Sequence, residues 1–289
     1  MRVARARRPR ACRSRRRRRA HRLGRGGSDD PEDPAADLEP GLEEAQAINF
    51  VSACRFSHRA PDDPSVYPKQ PGASHDHTFV GNTSTNASST YKSLHSSSTT
   101  CHRPDDTAAY WVPALLVGGE PVVPRRVQVY YRRATCDEVR PFPAGFRVIA
   151  GDAKATAPQP QRVTRWHCGA DSGVRLSAWI PTCPDPKGNA LPLRVTFPSC
   201  WDGWRLDSPD HHSHAASAQK GYCPSTQPAA VPAITLSFTY GTPGGPTAEL
   251  TSGGQLSVHA DFANAWRQAE LARLVDLCLN AARRCARDD

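Results

Sequence analysis

Short runs of β-branched and aromatic residues, separated by proline and glycine, recur along the chain from residue 48 onward. Such runs are typical of the strands of all-β proteins, in which proline and glycine mark the turns. The pattern predicts an all-β or mainly β fold, a sandwich-like single domain over residues 48–289. Strands are expected at 109–117, 127–133, 146–150, 193–197, 234–240 and 255–262.

One C-terminal amphipathic helix is predicted near the end of the chain. Its apolar residues recur mostly at steps of three and four from Phe262 to Cys278, which is the spacing of one helical face. Asp261 is a good N-cap residue, so the helix is expected to begin there and to pack one face on the sheet. Asn280 is expected to end it.

The first 47 residues show no apolar pattern. Residues 1–27 contain 13 arginines and no acidic residue, and residues 28–47 contain eight acidic residues and no basic one. Segments this biased cannot bury enough apolar surface to fold, so 1–47 is expected to be a disordered N-terminal segment, Arg-rich and then acidic. From residue 48 on, 24 basic residues stand against 20 acidic ones. The net charge of +9 therefore reflects the tail, and the domain is not expected to bind nucleic acid.

The cysteine content indicates a secreted or cell-wall associated protein. Ten cysteines, nine of them after residue 47, are many for a cytosolic chain, in which thiols are kept reduced. No export signal is visible in this reading frame, because the Arg-rich start has no apolar segment behind it. Either the start is a genuine polybasic arm, or the start codon is misplaced and a signal peptide is missing. The uncharged stretch 221–248 contains five prolines, which excludes a membrane-spanning helix there.

The cysteines predict a disulfide-stabilised domain rather than a structural zinc site, because they show no paired Cys-x-x-Cys spacing. The spacing of the cysteines does not fix their connectivity, and we expect cysteines that are neighbours in the sequence to pair. Cys278 and Cys285 can pair only if the helix ends and the chain turns back, since seven helical residues span about 10.5 Å. The scheme pairs Cys54 with Cys101, Cys168 with Cys183, Cys200 with Cys223 and Cys278 with Cys285, and it leaves Cys12 and Cys136 free.

Two short segments combine histidine and aspartate at alternate positions: SHDH at 74–77 and HAD at 259–261. Side chains two residues apart on a strand point to the same face and can chelate one ion. Together the segments offer three imidazoles and a carboxylate, a set that divalent transition-metal ions accept. The candidate metal ligands are therefore His75, His77, His259 and Asp261. The alternative is that these side chains only form hydrogen bonds around a polar loop crossing, with Asp261 as the helix cap.

The DSPDHHSH segment at 207–214 concentrates carboxylates and imidazoles just after a predicted strand. Asp207, Asp210 and His214 are the candidate catalytic groups, because neighbouring carboxylates and imidazoles can share acid, base and orienting roles. The alternative is a solvated loop held by Cys200. The chain has no G-x-S-x-G, G-x-x-x-x-G-K, G-x-G-x-x-G or H-E-x-x-H motif, so acyl-transfer hydrolases, nucleotide enzymes and zincins lose support.

Four stretches resemble a known family: CRFSHRAPDDPSVYPKQPGASHDHTFVGNTSTNASSTYKSL from Cys54, TTCHRPDDTAAYWVPAL from Thr99, FPSCWDGWRLDSPDHHSH from Phe197 and HADFANAW from His259. The family is DUF1996, a secreted domain of unknown function of bacteria and filamentous fungi, and the resemblance covers residues 49–285. It implies an exported, disulfide-stabilised domain, in some fungi joined to wall-carbohydrate-binding modules, without a settled reaction. The chain departs from the family in its Arg-rich start and in Cys136. The matching positions are His58, His75, His77, Trp111, Asp207, Asp210, His211, His214, His259, Asp261 and Trp266.

Two functions compete. The first is an extracellular hydrolase or metal-dependent enzyme acting on polysaccharide, with a divalent metal ion as its cofactor and the SHDH, HAD and DSPDHHSH segments as its site. The second is a non-catalytic cell-wall carbohydrate-binding or structural module that uses aromatic side chains as stacking faces for sugars. The candidate aromatic residues are Tyr110, Trp111, Tyr130, Tyr131, Trp179, Trp201 and Trp204. An enzyme requires the three segments to converge, whereas a binding module requires only an exposed aromatic strip.

Overall fold

The computed structural model describes residues 48–169, 172–184 and 190–286. The predictions made for residues 1–47, including Cys12, therefore lie outside the described residues. Within the described ranges the fold is mainly β, as the apolar pattern predicts. No helix in these ranges has the length and the apolar character that a membrane crossing requires.

Sixteen strands form in the described part of the chain, and all hydrogen-bonded neighbours are antiparallel. Each of the six predicted runs overlaps at least one of them. They are β1 Asn49–Cys54, β2 Phe56–Ala60, β3 His77–Gly81, β4 Ala109–Pro113, β5 Leu115–Val117, β6 Glu120–Val122, β7 Pro124–Arg132, β8 Arg147–Gly151, β9 Thr164–Trp166, β10 Leu191–Thr196, β11 Cys200–Trp201, β12 Ala215–Ala216, β13 Ala229–Ala230, β14 Ala233–Tyr240, β15 Ala248–Leu250 and β16 His259–Ala263.

Two five-stranded sheets carry the fold. The first sheet has the order β1-β7-β14-β10-β9, and the second has the order β2-β3-β4-β16-β8. Alternate residues of both sheets enter one shared apolar core; Val129 and Leu236 come from the first sheet, and Val112 and Phe262 come from the second. Period-two alternation places the other residues of each sheet on an outer face. Smaller sheets with the orders β12-β11-β13 and β15-β5-β6 complete the architecture.

The C-terminal helix is present but begins later than the sequence predicts. Asp261 lies inside β16, and the helix α2 runs over Gln268–Leu274 before it continues as a π-helix over Val275–Asn280. The predicted start at Asp261 was wrong because β16 pairs with β4 on one side and β8 on the other, and all five of its residues are buried. Its apolar residues therefore match a central strand as well as a helix. A short helix α1 over Tyr91–His95 was not predicted.

The four predicted disulfides are confirmed. They join Cys54 to Cys101, Cys168 to Cys183, Cys200 to Cys223 and Cys278 to Cys285. The chain turns back after Asn280, and the backbone N–H of Cys285 donates to the carbonyl of Asn49 at 3.0 Å. The expectation of a free thiol at Cys136 was wrong, because this residue is disulfide-bonded.

A series of hydrogen bonds between buried side chains links the two sheets through their core. The indole Nε1–H of Trp266 donates to the Tyr131 hydroxyl at 2.8 Å, and that oxygen lies 2.6 Å from the hydroxyl of Tyr110. The Tyr110 O–H donates to the Asp106 carboxylate at 2.9 Å. Burial raises the pKa of Asp106 to about 7, although the hydrogen bonds that it accepts from Ser52 and Tyr110 lower it in part.

This raised pKa predicts a pH dependence of stability that Asp106→Asn removes. The unfolded carboxyl loses its proton near pH 4, whereas the folded one keeps it to about pH 7. The contribution of Asp106 to stability therefore falls as pH rises between these values, by up to about 4 kcal/mol, and then stays constant. Urea unfolding of both proteins at pH 4 and pH 8 measures the effect: the stability of the native chain relative to Asp106→Asn should be lower at pH 8. A difference that does not change with pH would show that this carboxyl titrates normally.

Candidate functional site

The candidate site lies on the outer face of the second sheet, away from the shared core. His77 on β3 pairs with Pro113 on β4, and His259 on β16 stands two residues before Asp261, which pairs with Trp111 on β4. His77, Pro113 and His259 therefore lie level across three neighbouring strands. Backbones two strands apart are about 9.5 Å from each other, and the small ring of Pro113 leaves room for the two imidazoles to meet above it.

The two histidines face each other through their Nε2 atoms, which are 3.5 Å apart. The other ring nitrogen of each lies 3.0 Å from a backbone carbonyl oxygen, that of Asp62 for His77 and that of Ser257 for His259. A carbonyl can only accept, so in each neutral ring we assign the proton to Nδ1 and the lone pair to Nε2. Two lone pairs so placed repel each other unless a cation or a proton lies between them.

His75 adds a third imidazole from the loop before β3. Its ring centroid lies 4.2 Å from that of His77 and 5.0 Å from that of His259. One ligand nitrogen from each of the three histidines lies within 4.8 Å of the other two. The Nε2 of His75 is buried and has no hydrogen-bond partner among the described residues. The SHDH and HAD segments therefore meet, and Asp261 lies outside this three-histidine cluster.

Burial keeps the three-histidine cluster uncharged at neutral pH. It lowers the pKa of His77 well below the usual range, and the neighbouring His259 and His75 lower it further. Burial also lowers the pKa of His259 to about 4, and it lowers the pKa of His75. A neutral imidazole is the form that coordinates a metal ion.

Asp261 occupies the next position along the same face, directly across from Trp111. Both side chains are fully buried. Neither carboxyl oxygen of Asp261 nor the indole nitrogen of Trp111 makes a hydrogen bond of normal geometry with the described residues. Burial raises the pKa of Asp261 well above its ordinary range, and the carboxylates of Asp63 and Asp207 raise it further. Buried polar groups without partners are costly, so this pair marks a polar site beside the three-histidine cluster.

The DSPDHHSH segment borders the same face through Asp207 and His211. The Nδ1 of His211 lies 2.9 Å from a carboxylate oxygen of Asp207, and this hydrogen bond raises the pKa of His211. The carbonyl of His211 accepts from the backbone N–H of Ile149 at 3.1 Å, so the segment is attached to strand β8. Ile149 pairs with Asp261 across β8 and β16. A carboxylate–imidazole pair thus stands at the edge of the sheet face that carries the three-histidine cluster.

The other two candidate catalytic groups hold this loop together. His214 is fully buried; its Nδ1 lies 2.7 Å from the Ser208 hydroxyl, and its Nε2 donates to the carbonyl of Arg147 at 2.7 Å. Asp210 is exposed and accepts from the Ser208 hydroxyl at 2.6 Å and from the Ser213 backbone N–H at 2.9 Å. The catalytic roles of Asp207, Asp210 and His214 stay predictions. Asp207 is half-buried and pairs with His211, whereas Asp210 and His214 form their bonds within the loop and to β8.

Arg147 joins three segments over the site, and the sequence analysis missed it. Its guanidinium donates to the carbonyl of Pro64 at 2.6 Å and to that of Ser89 at 2.9 Å. Its backbone N–H donates to the carbonyl of Leu206 at 2.8 Å, while its own carbonyl accepts from His214. Arg147 is the one charged residue in the otherwise apolar run 146–150. This charge within a predicted strand was the sequence signal that could have identified it.

Asp63 is a second residue that the sequence analysis missed. It is buried, and its carboxylate accepts from the backbone N–H groups of Ser65 at 2.8 Å and Val66 at 3.0 Å. Burial raises its pKa, and the charges of His211 and Arg147 lower it in part. The APDDP sequence around it, two carboxylates between prolines, is the signal that could have drawn attention to this loop.

Comparison with known proteins gives one match. The family model described as Domain of unknown function (DUF1996) matches residues 63–266. That range includes the three-histidine cluster, Asp261 and the DSPDHHSH segment. No curated protein matches the chain, and no solved structure matches it.

Proposed function

The chain belongs to the DUF1996 family, and from that premise we propose that it is an extracellular, metal-dependent hydrolase that acts on a polysaccharide. The observation that carries the proposal is the convergence of His75, His77 and His259. Three imidazoles on a buried sheet face suit Zn²⁺ and other divalent ions that prefer nitrogen ligands.

The spacing of two of the three imidazoles fits Zn²⁺ closely. Two nitrogens bound to Zn²⁺ at 2.0–2.1 Å with a tetrahedral angle lie about 3.4 Å apart, and the Nε2 atoms of His77 and His259 are 3.5 Å apart. The carbonyls of Asp62 and Ser257 fix both rings in the required tautomer, as outer partners of metal-bound histidines usually do. Three protein ligands leave a fourth position open, which is typical of catalytic rather than structural zinc sites.

The remaining groups of the face fit a hydrolytic site. A bound Zn²⁺ would supply a water of lowered pKa as the nucleophile. His211, oriented by Asp207 at 2.9 Å, is the group that we assign to proton transfer to or from the substrate. Asp210 and His214 hold the loop that presents this pair. Asp261 and the indole N–H of Trp111 provide an acceptor and a donor beside the three-histidine cluster.

The polysaccharide substrate and the extracellular location rest on other features. Four disulfides within the described residues support an oxidising compartment. Trp204 and Trp179 expose 74% and 52% of their surface, and exposed indole rings are suited to stacking on sugars. The same exposed rings favour the second candidate, a non-catalytic carbohydrate-binding module, because they require no metal.

The test combines metal analysis with a polysaccharide panel. The purified chain should contain about one Zn²⁺ after reconstitution, and it should release reducing ends from one polysaccharide only when loaded. Asp207→Asn should retain the metal and lose most of the turnover, whereas Glu249→Gln, a carboxylate on the separate strand β15, should retain both. Sugar binding without turnover by the loaded protein would favour the binding module. Failure to bind any divalent ion would overturn the metal proposal.

A further inference from the structure

The outer face of the first sheet is strongly basic. Arg194 on β10 lies directly across from Arg165 on β9, and both belong to a group that we call the basic face. Arg126 and Arg132 occupy outward positions of β7 on the other side of β14. The basic face consists of Arg126, Arg132, Arg165, His167, Arg194 and, from the C-terminal segment near Arg132, Arg284.

The basic face has no acidic partner in the described ranges of the chain. Like charges directly opposite on a sheet destabilise it, yet Arg165 and Arg194 stand in that arrangement. The Nε atoms of Arg132 and Arg194 are buried without a hydrogen-bond partner among the described residues. Burial lowers the pKa of Arg132 and Arg165, and the neighbouring arginines lower both further. The ion pairs found in the described ranges involve other residues.

The shape of the basic face suits an extended chain. Strand β14 runs between the arginines of β7 and those of β10. Its outward residues are small: Ala233, Thr235, Ser237 and Thr239. Ala233, Thr235 and Ser237 are buried, so longer side chains of the neighbouring strands form the surface above this central strand. A polymer that carries regularly spaced negative charges can lie across the basic side chains on this surface and neutralise them.

We propose that the acidic segment 28–47 of this chain binds the basic face. The segment has eight carboxylates and no basic residue. It ends where β1 begins, and Asn49 at that point pairs with Arg132 of the basic face. Twenty residues reach at most roughly 65 Å, whereas the five strands of the sheet span only about 19 Å. The segment can therefore cross the basic face and place several carboxylates against the arginines.

Limited proteolysis of the full chain tests the proposal. Thermolysin cleaves before leucine, and the segment contains Leu38 and Leu42. Mass spectrometry measures the rate of cleavage at these sites. Cleavage should be slow at low salt and about five- to tenfold faster at 0.5 M NaCl, because salt screens surface charges. Arg165→Gln/Arg194→Gln should give the fast rate already at low salt. The matched control, Lys92→Gln/Lys154→Gln, neutralises two exposed lysines outside the first sheet and should leave cleavage slow.

A second variant keeps the test independent of the folding of the sheet. Glu39→Gln/Glu43→Gln/Glu44→Gln alters only the segment and should accelerate cleavage as much as the arginine variant does. Dextran sulfate, as a competing polyanion, should displace the segment and also raise the rate. Cleavage that is accelerated by salt but unchanged in the arginine variant would overturn the proposal, because the carboxylates would then pair elsewhere, for example with the 13 arginines of residues 1–27. Binding of dextran sulfate that is weakened in Arg165→Gln/Arg194→Gln, without faster cleavage, would also overturn it and assign the basic face to an external polyanion.

Discussion

His259→Ala is expected to weaken Zn²⁺ binding by more than about 100-fold. Loss of an outer-shell partner alone typically costs 10- to 100-fold in affinity, and His259 supplies one of only three converging nitrogens. Isothermal titration with Zn²⁺ and metal analysis after dialysis measure the effect. Because His259 is buried, His75→Ala, at a half-buried loop position, provides a second variant that is less liable to misfold.

His167→Ala is the matched control for this prediction. His167 is also partly buried, and burial lowers its pKa to about 4, but it lies beside Arg165 and Arg194 rather than in the three-histidine cluster. Its replacement should leave Zn²⁺ affinity unchanged. Equal Zn²⁺ affinity in the native chain, His75→Ala and His259→Ala would show that the three-histidine cluster does not bind the metal.

Removal of the Cys54–Cys101 disulfide should have the largest effect on stability among the changes considered. This bridge closes a loop of 47 residues, for which the chain-entropy estimate is about 4 kcal/mol. Cys54→Ala/Cys101→Ala should therefore lower the melting temperature by roughly 10 °C. The loop also carries β2 and β3, so the loss should be accompanied by weaker metal binding through His75 and His77.

Cys278→Ala/Cys285→Ala gives the internal comparison. All four sulfur atoms belong to buried residues, so the side-chain replacement is similar, but this bridge spans only seven residues. The expected loss is about 2 kcal/mol. Calorimetry of both double variants under non-reducing conditions should rank Cys54–Cys101 above Cys278–Cys285. The reverse order would mean that local strain or packing, rather than chain entropy, governs the contribution of these bridges.

The strands could be predicted from sequence because their signal is local. Alternation within 234–240, for example, reflects one face in the shared core and one face outside it. Four disulfides were predictable for a related reason, since each joins cysteines that follow one another in the sequence; the bond of Cys136 was not predicted. The start of the C-terminal helix could not be predicted in this way. Strand β16 is buried on both faces, so its apolar residues fit the spacing of a helix as well as that of a strand.

The site was predictable only in part. Local geometry placed His75 and His77 together, but the meeting of His77 with His259 joins residues 182 positions apart. It depends on β3 and β16 both being neighbours of β4, and no local pattern encodes that order. Arg147 escaped prediction for the same reason, because its guanidinium bonds to loops that are remote in sequence. Asp63 escaped it because the charged groups that act on it, His211 and Arg147, are also remote.

Arg147 has a consequence for access to the site. Its bonds to Pro64, Ser89, Leu206 and His214 tie three loops to the edge strand β8. The surroundings of the three-histidine cluster therefore share one anchor, because a single residue of β8 holds segments that are remote from one another in the sequence. Loss of the Arg147 guanidinium would release the loops of Pro64 and Ser89 at the same time.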